Sequence, residues 1–472
     1  MNSDTAQASG ASWADLLHGA NALRSIALAG GVALHAINVY IVTTILPSII
    51  KDIGGLEYYA WNTTLFVVTS IVGSALSARL IQAWGPKAAY LLAVAVFSAG
   101  SVVCALAPSM PWMLAGRSIQ GLGGGVLFAL SYALIRIVFD AALWSRAMAL
   151  VSGMWGVATL CGPAIGGIFA QTGHWRLAFW TLLPAGALLA FIVATKVGGK
   201  STVSDARPSP VPLATLGLLV ASVLAITLAS LSQDLRWNLA GIVAGLAIAL
   251  LIARVDTRAG KKLLPSGAYT LATPLGSLYA IICLVVAAIT TEIFVPYFLQ
   301  TIHGFSPLAA GYMTAAMAAG WTLAAMPSAT RSGAAADGMM RLGPAVVLAA
   351  LVLLAILMPL PGAFGSPVGL AGGALALAAV GFGIGLGWPH LLTRVFNAAP
   401  AGQETLTASS ITTVQLYATA LTAALAGVIT NSAGLAQPGG VEGARQAALW
   451  LFAAFSIAPA LALILLIRHL RR

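Results

Sequence analysis

Glu292 is the only one of twelve carboxylates that falls well inside an apolar run, within Thr290-Thr291-Glu292-Ile293-Phe294-Val295-Pro296-Tyr297. The other eleven, from Asp4 to Glu442, fall in tails, loops or helix ends. A charged side chain in the middle of a membrane helix costs about 2.5–3.5 kcal/mol on insertion scales, so it is retained for a reason. A carboxyl there can carry a proton, anchor a cation, or do both in competition. The alternative is a structural carboxylate paired with a buried base. His35 and Asn38, three apart, form a short polar stripe in an earlier run. Histidine titrates near neutral pH and is a second candidate proton carrier, against the simpler role of bonding a backbone carbonyl. Arg117 is the one basic residue inside an apolar run. Asn38, Gln120, backbone carbonyls, Glu292 or an anionic part of a substrate could satisfy it. Gln120 and Gly121 share its face at i+3 and i+4.

Trp61, Asn62, Tyr279, Phe294, Tyr297, Gln415 and Tyr417, with Asn38, are aromatic and amide groups able to line a substrate cavity. Each could equally face a neighbouring helix or the membrane interface, where Trp and Tyr concentrate. His390, beside Trp388 and Pro389, is expected at an interface, and the alternating Gly381, Gly383, Gly385 and Gly387 at a close packing or flexible segment. Residues 151–170 are apolar enough to cross a bilayer yet carry Gly153, Gly156, Gly162, Gly166 and Gly167, with Pro163 between them. Gly162 and Gly166, four apart, let a neighbouring backbone approach closely. Pro163 removes a helix hydrogen bond and permits a bend. Two helices that pack tightly and then move need such a seam, although ordinary helix packing uses small residues too.

These residues must be held by membrane helices. Hydrophobic residues make up 60% of the chain and charged ones 7%, against about a quarter in soluble domains. Runs of about 20 apolar residues predict fourteen spans. They lie near 26–50, 61–83, 88–107, 112–137, 146–170, 177–196, 211–232, 237–254, 273–300, 308–328, 342–361, 368–392, 407–430 and 446–468. The fold class expected is therefore an all-α polytopic membrane protein. A tail over 1–23 precedes six helices over 24–196, a linker over 197–266 with two extra spans, and six helices over 267–472. With both termini cytoplasmic, eighteen of the 23 basic residues lie inside, four outside and Arg117 within a span. That asymmetry follows the positive-inside rule and orients the chain in a bacterial-type inner membrane. The net charge of +11 thus reports topology, and no nucleic-acid partner is expected. Cys104, Cys161 and Cys283 have no disulfide or metal spacing. No phosphate-binding glycine loop with its Lys and Ser/Thr occurs, so no cofactor is expected and energy must come from an ion gradient or a partner.

The string Gly162-Pro163-Ala164-Ile165-Gly166-Gly167 resembles the antiporter signature in the fifth span of major facilitator superfamily exporters. One span earlier, Leu114-Ala115-Gly116-Arg117-Ser118-Ile119-Gln120-Gly121-Leu122-Gly123-Gly124 resembles that superfamily's fourth-span motif. Phe298-Leu299-Gln300 and the run from Gly304 to Gly311 look like the exit from the first span of the second half. With the inserted pair, the chain resembles the fourteen-spanner drug:proton antiporters over residues 24–470. The resemblance implies two six-helix bundles that alternate access, and a non-enzymatic exporter exchanging protons for amphipathic small molecules. Its partners would be substrate, protons and membrane lipids, with the chain a monomer. Importing a metabolite on the same fold, or a non-transporting sensor, are the competing functions. Two departures stand out. Asn38 occupies the place of the family's first-span Asp. In the loop Ala78 to Lys87, Gln82 replaces the acid of the usual inner-gate latch while Leu80, Gly85 and Lys87 remain.

Overall fold

The computed structural model describes residues 12–196, 212–260 and 262–470, and the described residues are helical with no strand. Expectations that rest on residues 1–11, 197–211, Lys261, Arg471 and Arg472 lie outside them. A short α1 (Trp13–Leu17) is capped by Ser12 and pinned where Ser25 donates to the Leu16 carbonyl at 3.0 Å. The first unit continues through α2 (Gly19–Ile53), α3 (Trp61–Ala105), α4 (Met110–Ala133), α5 (Ile135–Val138), α6 (Trp144–Gln171), α7 (Trp175–Trp180) and α8 (Leu182–Lys196). An inserted hairpin, α9 (Leu213–Ala229) and α10 (Leu235–Arg258), follows. The second unit comprises α11 (Pro274–Thr290), α12 (Val295–His303), α13 (Pro307–Ser328), α14 (Gly333–Leu357), α15 (Pro367–Asn397), α16 (Glu404–Ser432), α17 (Gly440–Phe455) and α18 (Ile457–Leu470).

By length and hydropathy, ten helical stretches are able to cross a membrane. One of them, Leu56–Ala105, is 50 residues long, more than twice what a bilayer core needs. It contains the expected loop at Ala78–Lys87, which the structure replaces with near-continuous helix. Gly85 alone breaks it, at φ 80° and ψ 165°, a left-handed region open to glycine and not to residues with a Cβ. Pro86 then starts the second limb, where its missing N–H is no loss. One residue therefore does the work of a loop.

The helices have two common ends. At one, near both described chain ends, Lys87 donates to the Ala194 carbonyl, Arg394 pairs with Asp337, and the Ser266 N–H meets Gln403 at 2.8 Å. At the opposite end, Arg176 bonds Asp52 at 2.6 Å and the Ala107 carbonyl at 3.0 Å, and Arg445 bonds the Pro359 carbonyl at 2.7 Å. Between them, small residues set helix spacing. A Cβ on Gly123 would stand 2.4 Å from Phe97 N, and one on Gly125 2.1 Å from the Ser70 carbonyl, so α4 lies backbone to backbone against both limbs of α3. Gly381, Gly383 and Gly385 bring α15 equally close to α13 and α14, which assigns that run to close packing. The hairpin packs through α9: Val223 and Ile226 meet Phe66, Val67, Ala420 and Ala424 of both units. Its α10 exposes Trp237, Val243 and Leu250, a face suited to hydrocarbon.

Candidate transport site

Pro296 explains the local structure at Glu292. Its ring cannot donate to the carbonyl four residues back, which belongs to Glu292, and it crowds that carbonyl. The chain responds with a 3₁₀ turn over Thr291–Phe294 between α11 and α12, and Val295 N–H bonds Glu292 O instead. Thr290 anchors the break, accepting a 3.0 Å hydrogen bond from Thr422 of α16. The Glu292 carboxyl is half-buried and has no ion pair among the described residues. It lies within electrostatic range of the Tyr40 hydroxyl of α2, which hydrogen-bonds Thr159 of α6. Tyr40 had no sequence signal beyond its place four residues before Thr44, on the α2 face that α6 meets.

α6, like α2 and α3, touches both units. On one face, a Cβ at Gly162 would be 2.3 Å from Tyr40 Cβ, and one at Gly166 2.9 Å from the Ile41 carbonyl. On another, a Cβ at Gly167 would be 2.6 Å from Leu308 Cα of α13. Pro163 lies under Gly311, also of α13, and Gly311 in turn abuts Thr44. Tyr312 donates to the Leu160 carbonyl at 3.3 Å. Gly153 and Gly156, nearer the terminal end, meet nothing within 4 Å. The glycine run thus divides into a tight segment toward the opposite end and an open segment toward the terminal end.

Other contacts between the units gather at the opposite end as well. Tyr59 stacks on Phe294 at 4.8 Å and meets Tyr297 edge-on at 5.4 Å. Asn431 donates to the Glu57 carbonyl and to the Ser230 carbonyl, each at 2.9 Å, joining first unit, second unit and hairpin in one clasp. Trp61 Nε1 donates to Ser230 Oγ at 3.3 Å, which completes it. Removing one side of a buried hydrogen bond leaves its partner unsatisfied at about 1–3 kcal/mol. Asn431→Ala is therefore expected to shift the conformational balance about tenfold toward an open opposite end. Spin labels at Leu106 and Val441, both exposed there, would read this as a longer distance population.

Arg117 is buried at 2% exposure and has no carboxylate partner among the described residues. It donates to Gln120 Oε1 and, at 3.3 Å, to the Asn62 carbonyl, and its guanidinium lies 4.1 Å over the Phe66 ring. Gln120 passes the network on to Ser101 at 2.8 Å. Gly121 gives α4 its approach to the Phe66 carbonyl, 2.3 Å from where a Cβ would sit. His35 also packs on Phe66, with ring centroids 5.2 Å apart, and is closed in by Phe128 and Trp155. No contact among the described residues joins His35 or Arg117 to Glu292. Asn38 is fully buried and neither atom of its amide has a protein partner.

The eight proposed cavity residues fall into separate groups of contacts. Phe294 and Tyr297 form the aromatic junction with Tyr59. Asn62 sits beneath Arg117, its Nδ2 bonded to the Tyr58 carbonyl at 3.3 Å. Trp61 belongs to the clasp. Tyr279 and Tyr417 line a separate cavity beside the hairpin, bonded to Ser410 and Ser222. Gln415 is half-buried on α16. His390, expected at an interface, is buried and bonded to Ser328 at 3.0 Å. Polar groups on helices of equal hydropathy look alike in sequence, and helix rotation sorts them.

This arrangement of two helical units joined by a glycine-rich helix is that of a membrane transporter, and comparison with known proteins agrees. Residues 28–423 match the Major Facilitator Superfamily, and the chain belongs to it. It is 40% identical over 449 residues, 92% of each chain, to a protein of Mycobacterium tuberculosis described as a "probable multidrug-efflux transporter". Among solved structures, a peptide transporter of the POT family aligns with a TM-score of 0.67 at 14% identity over 94% of each chain. A bacterial homologue of the lysosomal transporter Spinster aligns at 0.64 and 15% identity, over 95% of this chain and 97% of that one. These two establish the fold. The protein is an integral membrane transporter and not an enzyme.

Proposed function

We propose that the chain exports amphipathic small molecules in exchange for protons, by alternating access between its two helical units. The observation that carries this reading is α6, which meets α2 and α13 through glycines toward one end and stands open toward the other. A helix so built can rock against the second unit while keeping its seat on the first. The 40% identical multidrug-efflux relative supports export over import. Glu292, at a helix break within electrostatic range of Tyr40, is the proton carrier in this proposal, with His35 as the alternative. Asn38, whose amide is unmet, and the Tyr59–Phe294–Tyr297 junction bind substrate. Arg117, Gln120 and Gly121 hold the fourth helix on the third.

Fourteen crossings follow if Gly85 divides the 50-residue stretch and α4, α9 and α13 also cross, with the ten stretches that hydropathy alone selects. Both termini are then cytoplasmic, and the open end faces the substrate to be removed. A reporter fused after Arg472 should be active only in its cytoplasmic form; periplasmic activity would overturn the orientation. The function itself is tested in proteoliposomes loaded at low internal pH. Amphipathic cations and neutral drugs should accumulate against their gradient as protons leave. No flux in either direction would favour a sensor, and co-directional flux a symporter.

A further inference from the structure

A cavity of about 250 Å³ lies between the hairpin and the second unit, apart from the junction described above. Leu219 of α9, Ala249 and Ile252 of α10, Cys283 of α11 and Val414 of α16 bound it. A strap over residues 262–273 crosses its terminal-end side and contributes Leu263, Leu264 and Leu271. Asp256, fully buried at the end of α10, holds the strap. It accepts from Leu263 N–H at 2.6 Å, Leu264 N–H at 3.0 Å and the Tyr269 hydroxyl at 3.0 Å. The lining tyrosines bond elsewhere, Tyr279 to Ser410 and Tyr417 to Ser222, so the wall offers a guest little but hydrocarbon. Apolar cavities accept hydrocarbon guests. Leu271 is 54% exposed, so the cavity is not sealed.

The rim has the opposite character. Arg258 ends α10 and Lys262 opens the strap, Lys262 Nζ donating to Ser266 Oγ at 3.1 Å, and neither joins an ion pair among the described residues. The one acid among them, Asp256, is enclosed and already bonded three times. A greasy slot with an uncompensated basic rim at a membrane helix end fits one ligand chemistry: an acyl chain joined to a phosphate.

We infer that the cleft between the hairpin and the second unit is a binding site for an anionic phospholipid, its acyl chain in the cavity and its phosphate on Arg258 and Lys262. The lipid fills the space between α10 and α11 and so fastens the hairpin to the second unit at the terminal end, as the Ser230 clasp does at the other. The inference does not depend on what is transported or in which direction.

Cys283 makes the site measurable. With Cys104→Ala and Cys161→Ala in the full chain, N-ethylmaleimide reports access to Cys283 alone. Adding phosphatidylglycerol to the micelles should slow its alkylation at least fivefold, while phosphatidylcholine should change it less than twofold. Arg258→Gln with Lys262→Gln should reduce the first effect to the second. Native mass spectrometry of the chain with its cysteines intact should retain one phosphatidylglycerol, lost in Ala249→Phe, which fills the cavity from α10. Equal protection by both lipids, or none retained by the unaltered chain, would overturn the site. Because the intact chain is read directly, misfolding of a variant cannot hide the result.

Discussion

Glu292→Gln is expected to abolish uphill export driven by a pH gradient while leaving the protein folded and inserted. The amide keeps the size of the side chain and some of its hydrogen bonding, but it cannot exchange a proton at ordinary pH. Each pH unit across the membrane is worth about 1.4 kcal/mol per proton, which sustains about a tenfold substrate gradient for one proton exchanged. The variant should lose that whole factor at every imposed gradient. It should still equilibrate substrate down a concentration gradient, since that needs no change of protonation. The position argues for the effect: the carboxyl sits where Pro296 breaks the helix, half-buried and within electrostatic range of Tyr40 of the other unit. His35→Ala belongs beside it. His35 is held among Phe66, Phe128 and Trp155 of the first unit, so its loss should loosen that packing and leave coupling in place. Asn38→Asp asks whether the acid that related exporters carry in the first span adds a second coupling group. Retained drug–proton exchange in Glu292→Gln vesicles would move the coupling site elsewhere, with His35 the next candidate.

Gly162→Leu and Gly166→Leu should each reduce transport more than tenfold with little effect on insertion. A Cβ alone at Gly162 would come within 2.3 Å of Tyr40 Cβ, closer than carbon atoms approach, and a leucine adds three more carbons. Either α6 and α2 separate or Tyr40 turns away from Glu292, and both disturb the junction between the units. Gly167→Leu should act differently, pressing on Leu308 of α13 and so forcing the opposite end open. The distance between labels at Leu106 and Val441 would lengthen in that variant. Gly156→Leu, whose position meets nothing within 4 Å, should leave this distance unchanged. Normal transport by the Gly162 and Gly166 variants would reduce the seam to ordinary packing.

Much of the architecture was legible because its signals are local. Apolar runs of membrane length, the Pro–Gly pattern near Gly162 and the isolation of Glu292 in an apolar run are each read from a few neighbouring residues. The site was less legible. Tyr40 and Tyr59 carry no motif, yet one lies within electrostatic range of Glu292 and the other packs on Phe294 and Tyr297. Ser230 and Asn431 lie 201 positions apart in the chain and join at 2.9 Å, which no periodicity announces. Trp61, in the clasp, and Tyr279, on the cavity beside the hairpin, could not be sorted in advance, since an aromatic side chain in a membrane helix looks the same whichever way it points.

The sequence by itself therefore determined that the chain lives in a bilayer as a bundle of helices. Backbone groups in hydrocarbon must bond within their own helix, and apolar length alone then dictates where helices run. It also determined where helices can approach or break, because glycine and proline act through their own backbone. The tertiary structure alone decided which polar groups meet. It set His35 and Arg117 on the same Phe66 ring, gave Asn431 two partners from different segments, and placed Tyr279 and Tyr417 on the cavity beside the hairpin. Those outcomes depend on the rotation of each helix about its axis. That rotation is set by summed packing along the whole helix, information that no single residue type or spacing contains.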